Sequence, residues 1–266
     1  MLPLLLLACA EPVTVHGTVT DAWGTPVPGA TVVLEGVVDR WTAGADGTFT
    51  VEADTPPATV IAGAPGYMRG SAPVARGDDA PRRQEVRIAL WPDPANPGFF
   101  GVGPSGYAHL PARTLTPLRP ERPLASGETA FPALTLPAEA VIPPGTTRFV
   151  HKSTVRAQEV RAMDLRLSRL TEAPPALRPA TATTPWWIRA DEVPFEIDGM
   201  PGRDAYLLKL AAPLPAGVYA WHAGGTLELR DSDALAVLPR ARLLAWPFRV
   251  DGPPTSAAAD TDAATP

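Results

Sequence analysis

Apolar and polar residues alternate at the front of this chain. Val13, Val15, Gly17 and Val19 fall on one side of an extended segment and Thr14, His16, Thr18 and Thr20 on the other. This is the period-two pattern of a half-buried strand, with His16 directed to solvent. Between Gly24 and Pro28 two prolines and a glycine force the chain out of the sheet, and a second strand is expected over 30–34. Asp46-Gly47 is a hairpin signal. It precedes a strand over 48–53 whose inner side carries Phe49, Val51 and Ala53. A strand over 58–62 runs into Pro65-Gly66-Tyr67, a polar loop covers 76–83, and 84–90 alternates with Val86, Ile88 and Leu90 inward.

The run Gly17-x-Val19-x-Asp21-x-x-Gly24-x-Pro26-x-x-Gly29-Ala30, the Asp46-Gly47-x-Phe49 turn and the closing Gly66-Tyr67 resemble the carboxypeptidase regulatory-like domain. The likeness covers about a third of the chain. It implies a transthyretin-like β-sandwich over 13–90 and a non-catalytic accessory role. Such modules often stand beside other domains on bacterial cell-surface and envelope proteins.

Trp91-Pro92-Asp93-Pro94-Ala95-Asn96-Pro97-Gly98 contains three prolines that cannot donate to a ladder, so 91–98 is the expected linker. Beyond it, strands are expected over 99–102, 107–110, 147–151, 163–168, 186–188, 195–197, 205–210, 218–222, 226–229 and 246–250. The proline-spaced stretch 111–144 gives no assignment, and 171–185 reads as a loop. Pro213 to Tyr219 has the look of a turn that introduces a strand. The fold class is therefore all-β: an N-terminal transthyretin-like sandwich, then a second β-rich domain, read as a sandwich, over 99–250. The tail 251–266, rich in Ala, Asp, Thr and Pro without a large apolar residue, is expected to be disordered.

Composition agrees with this pattern. The 34 prolines, 22 glycines and 7% aromatic residues disfavour long helices. A net charge of -5 provides no broad basic field for a nucleic-acid partner. Cys9 is the single cysteine, which excludes an intramolecular disulfide framework and a cysteine-rich zinc site. The apolar run 1–10 is too short to span a bilayer, and Leu6-Leu7-Ala8-Cys9 resembles the bacterial lipobox. That implies a signal segment over 1–9, lipidation of Cys9 and a membrane partner reached through the lipid. Ala8-Cys9-Ala10 also fits a signal-peptidase site, which would release a soluble periplasmic or secreted protein.

The residues offer little catalysis. His16, His109, His151 and His222 lack metal-site spacing, and Gly103-Pro104-Ser105-Gly106 lacks a nucleophile elbow. Asp191, Glu192, Glu196 and Asp198 cluster in sequence, and paired carboxylates support glycoside hydrolysis, yet the last three share parity and read as a solvated strand face. No cofactor or metal is expected. Trp186, Trp187 and Trp221 are candidate ligand contacts, since an exposed indole can stack on a sugar. If extended, Trp186 and Trp187 face opposite ways and Trp221 shares a face with Tyr219. The resulting reading is a non-enzymatic, lipid-anchored outer-membrane protein with a binding or structural role. Its alternative is a carbohydrate-binding protein or accessory subunit of a surface enzyme, with polysaccharide or another envelope protein as partner.

Overall fold

The computed structural model describes residues 12–54, 57–76, 79–120, 127–136, 139–153, 164–178, 183–199 and 205–252. Cys9 with the leader 1–9, and the tail from 253 onward, lie outside them. The chain divides into two compact units, one within Met1–Ala95 and the other within Asn96–Gly199 and Asp204–Pro266. Both are built of strands, and the protein is all-β. No helix among the described residues is long and apolar enough to cross a membrane.

The first unit is a sandwich of β1 (Val13–Asp21), β2 (Thr31–Leu34), β3 (Arg40–Thr42), β4 (Thr48–Ala53), β5 (Thr59–Gly63), β6 (Gly70–Pro73) and β7 (Arg83–Leu90). One sheet has the order β4-β1-β7 and the other β3-β2-β5-β6. Strand β1 pairs antiparallel with β4 and parallel with β7. Val15, Val19, Phe49, Val51 and Ile88 of the first sheet are buried with Val32, Leu34, Val60 and Ala62 of the second. That is the inner face the alternation indicated.

Local chemistry explains the sequence signature. Asp21 Oδ1 accepts the backbone N–H groups of Trp23 (2.9 Å) and Thr25 (2.8 Å), closing the turn after β1. Gly17 has no side chain because a Cβ there would collide with the Phe49 ring and lie 2.8 Å from Val86 Cγ2. Asp46-Gly47 does not form the expected two-residue hairpin. The turn is closed by the Gly44 N–H on Thr48 O at 2.8 Å, and β4 leaves β3's sheet to pair with β1. Gly47 O accepts the Val19 N–H at 2.8 Å, so the turn is docked on β1 and carries the chain between the sheets. Trp91 and Asp93 are also held to the first unit, with Trp91 O accepting from Met68 N and Asp93 N donating to Gly66 O.

The second unit contains β8 (Gly98–Val102), β9 (Tyr107–Leu110), β10 (Arg113–Thr114), β11 (Thr116–Leu118), β12 (Phe131–Leu134), β13 (Val141–Ile142) and β14 (Arg148–Lys152). It continues with β15 (Leu165–Glu172), β16 (Trp187–Val193), β17 (Glu196–Gly199), β18 (Ala205–Lys209), β19 (Gly217–Ala223) and β20 (Leu244–Val250). A five-stranded sheet runs β17-β18-β14-β8-β9, and an eight-stranded one runs β10-β20-β19-β15-β16-β12-β11 with β13 beside β20. Phe99, Phe149 and Leu208 of the smaller sheet pack with Leu167, Tyr219, Trp221 and Phe248 of the larger. The unit is thus a second sandwich.

Strand β19 starts after the Pro213–Tyr219 turn, where the Tyr219 hydroxyl donates to Pro215 O at 2.8 Å. Among the described residues, four short strands occupy the unassigned stretch 111–144. The expected strand 226–229 is instead a turn. Its residues fold back so that Arg230 Nη1 donates to Leu227 O at 2.7 Å, and a short helix follows, α1 (Ser232–Ala236), capped by Asp231. The loop placed at 171–185 begins later, because β15 runs on to Glu172.

Candidate functional site

The acidic residues 191–198 do not converge. Glu192 lies on β16 in the eight-stranded sheet and Asp198 on β17 in the five-stranded sheet, because the chain crosses between sheets at Pro194 and Phe195. Asp198 pairs with Lys209. Glu192 is 3.1 Å from Arg166, which also meets Asp164 at 2.8 Å and Glu228 at 3.5 Å. Asp191 and Glu196 are exposed. Glu192, Glu196 and Asp198 are all exposed, with Val193, Phe195 and Ile197 packed on the core, as a solvated face requires, and two of these carboxylates are also ion-paired.

The four histidines differ in burial. His16 is half-buried, with Nδ1 2.9 Å from Thr50 Oγ1, and His109 is exposed beside Phe100. His151 is buried and stacked on Phe99, ring centroids 4.1 Å apart. Burial pushes its imidazole down to about 4, partly offset by its Nδ1 contact with Gly98 O at 3.2 Å. His222 is fully buried and doubly bonded, its Nδ1 2.8 Å from Ala223 O and its Nε2 2.9 Å from Ser168 Oγ.

Ser168 and His222, 54 residues apart in sequence, make the kind of contact a nucleophile and base would make, and sequence spacing gave no sign of it. With Nδ1–H donating to a carbonyl, Nε2 is the acceptor and the Ser168 hydroxyl donates. A backbone carbonyl, not a carboxylate, orients the ring, and both side chains have 0% exposure. Burial lowers the His222 pKa from its ordinary value. The pair satisfies two buried polar groups across β15 and β19 and offers no route for substrate. Among the described residues no three His, Cys, Asp or Glu side chains gather around a metal position.

Of the three tryptophans, Trp221 is corrected outright as a ligand contact. It has 0% exposure and sits among Phe99 (5.6 Å), Phe149 (5.4 Å) and Phe195 (4.7 Å), so the sandwich interior holds it. Trp186 and Trp187 are half-buried against different apolar clusters, Trp186 beside Phe131 and Leu177, Trp187 beside Leu134 and Leu170. They face opposite ways and do not form one contact row.

A different concave site lies on the outer face of β3-β2-β5-β6 in the first unit, a groove of about 440 Å³. Its floor is Val33 and Ile61, opposite one another on β2 and β5, both half-buried while pointing away from the core. Arg40 of β3 continues that row, directly opposite Val33. Thr31 is opposite Gly63, where a Cβ would touch Arg69 Cγ at 3.4 Å. The Arg69 stem therefore packs across Gly63. Tyr67 enters through the turn Ala64-Pro65-Gly66-Tyr67, closed by Tyr67 N on Ala64 O at 3.1 Å with Gly66 at φ 78°. Proline second and a left-handed glycine third is the residue pattern of a type II turn.

Among the described residues, Arg40, Arg69, the Tyr67 hydroxyl and the Thr31 hydroxyl have no side-chain hydrogen bond or ion pair. Arg166 and Arg189, by contrast, are ion-paired. Sequence reasoning missed this site. Gly66-Tyr67 was noticed as a fold marker, but only the sheet brings Arg40 and Arg69 to one groove.

The fold is that of an all-β protein of two sandwiches with an open groove on the outer face of the first. Residues 14–89 match the carboxypeptidase regulatory-like domain family and form such a domain. No curated protein matches the chain. Among solved structures, the chain is similar to a DUF3823 family protein from Parabacteroides merdae, at 12% identity over 91% of this chain and 100% of that one, TM-score 0.22. It is also similar to BcpA, the major pilin subunit of Bacillus cereus, at 10% identity over 91% of this chain and 69% of that one, TM-score 0.22.

Proposed function

We propose that this is a non-enzymatic protein of the bacterial envelope, anchored to the outer membrane by a lipid on Cys9, that binds a ligand in the groove of its first sandwich. The observation that carries the binding role is the convergence of Arg40, Arg69, Tyr67 and Thr31, whose side chains have no hydrogen bond or ion pair among the described residues, on one half-apolar concavity. Ligand sites typically combine an apolar lining with a few such groups at roughly 300–1,000 Å³. A regulatory-like domain and the sealed Ser168–His222 pair support a role without catalysis. The anchor rests on Leu6-Leu7-Ala8-Cys9. Two or more acyl chains, at about 0.8 kcal/mol per buried methylene, hold a protein stably at a membrane.

The binding role is tested by passing the full chain over immobilised envelope glycans and peptides. Retention that falls in Tyr67→Ala supports the groove, and retention unchanged in that variant refutes it. Expression in a bacterial host with a palmitate analogue tests the anchor. Label on the wild type and none on Cys9→Ser is expected, whereas label retained by Cys9→Ser, or wild-type protein wholly in the soluble periplasm, rejects lipidation.

A further inference from the structure

We infer that the groove takes a uronate residue of an acidic polysaccharide. This deepens the binding reading above and rests on it. Three features of the site act together. Arg40 and Arg69 are exposed and, among the described residues, have no carboxylate partner. Two guanidinium groups left unpaired around one concavity select an oxyanion, which they can meet with planar, bidentate hydrogen bonds. Val33 and Ile61 give the groove an apolar floor, and half-buried Tyr67, which also packs against the first unit's core, lines its edge. Such a surface selects a flat C–H face, as a pyranose ring offers. The free hydroxyls of Thr31 and Tyr67 suit neutral hydroxyl partners.

A carboxylate, a flat C–H face and hydroxyl groups occur together on a pyranose uronate. A phosphate headgroup supplies the anion without the ring face that Tyr67 and Ile61 would cover. The groove volume of about 440 Å³ falls in the ordinary range for small-ligand sites. It lies open along a sheet surface between β3 and the β5–β6 connection, so an internal stretch of a polymer can lie across it without its ends being enclosed. The fold builds the site: the left-handed Gly66 turn places Tyr67, and the Arg69 stem lies across the face of Gly63.

The test is affinity electrophoresis of the full chain in gels containing polygalacturonate or, separately, dextran. It is accompanied by flotation with phosphatidylglycerol vesicles. The expected result is retardation by polygalacturonate alone. Arg40→Gln and Arg69→Gln should each weaken it about tenfold or more, as loss of a charged hydrogen bond does, while Arg69→Lys should retain part of it. The arginines are exposed, so the melting temperature of each variant should match the parent and separate lost binding from lost fold. Retardation by polygalacturonate that survives the double Gln variant overturns the inference. Retardation by dextran that is lost in Tyr67→Leu but indifferent to both arginines overturns the uronate and leaves the groove as a binding site. Vesicle flotation lost in the arginine variants, without polygalacturonate binding, replaces the sugar by a lipid phosphate. No retardation and no flotation overturns the uronate, and retention of the full chain on the immobilised envelope glycans and peptides then decides the binding role separately.

Discussion

His151 makes the stability of this protein depend on acid. Its ring lies in the interior of the second sandwich against Phe99 and Tyr206, and burial, the dominant cause, lowers its pKa from 6.5 to about 4. In the unfolded chain the imidazole takes a proton as the pH falls below about 6.5, but the folded protein does not take it until about pH 4. Between those values the unfolded state binds more protons, so stability falls as the pH falls. The contribution is complete above pH 6.5 and exhausted below 4. The interval is roughly two and a half pH units at about 1.4 kcal/mol each, hence roughly 3.5 kcal/mol. His222, also lowered by burial, acts in the same direction.

Guanidinium unfolding followed by tryptophan fluorescence should lose about 2–3 kcal/mol between pH 7.5 and 4.5 from this group. His151→Phe, which keeps a ring against Phe99 and removes the proton site, should show a shallower pH dependence by about that amount. Proton NMR of the histidine rings reads the cause directly. A His151 resonance that titrates above pH 6, or a His151→Phe variant with the parent's full acid sensitivity, would refute the reasoning.

Other outcomes follow from packing and burial. Gly17→Ala should destabilise the first sandwich by about 1–3 kcal/mol by driving a methyl into Phe49 and Val86; a thermal unfolding curve unchanged from the parent would contradict this register. Trp221→Ala should cost about 3–5 kcal/mol, as a buried indole does, without altering any glycan retention, whereas loss of retention at full stability would return Trp221 to a ligand role. Purified protein should be silent on ester, peptide, phosphate and glycoside substrates, and activity abolished by Ser168→Ala would overturn the non-enzymatic reading.

The sequence by itself determined the class of fold and the inner face of the first sandwich. Period-two alternation over 13–20, 48–53 and 84–90 is a local property of the strand, since successive side chains must point to opposite faces wherever the strand pairs. Turn chemistry was equally local in Asp21 and in Pro65-Gly66, where one carboxylate or one left-handed glycine closes the chain on its neighbours. Pairing partners were not local. Asp46-Gly47 has the residues of a hairpin, but Val19 takes Gly47 O and β4 joins β1, a choice made by hydrogen bonds to a strand nearly thirty residues away. The acids of 191–198 looked contiguous until the chain changed sheets, and Ser168 met His222 only because β15 lies beside β19. Trp221 and Trp187 are chemically equal in sequence, yet Trp221 faces the interior between two sheets and Trp187 only half reaches cover. The groove is the same kind of object. Arg40, Val33, Ile61 and Arg69 are separated along the chain and become one surface through the register of β3, β2 and β5, because cross-strand neighbours are fixed by hydrogen bonding between strands, which sequence order does not specify.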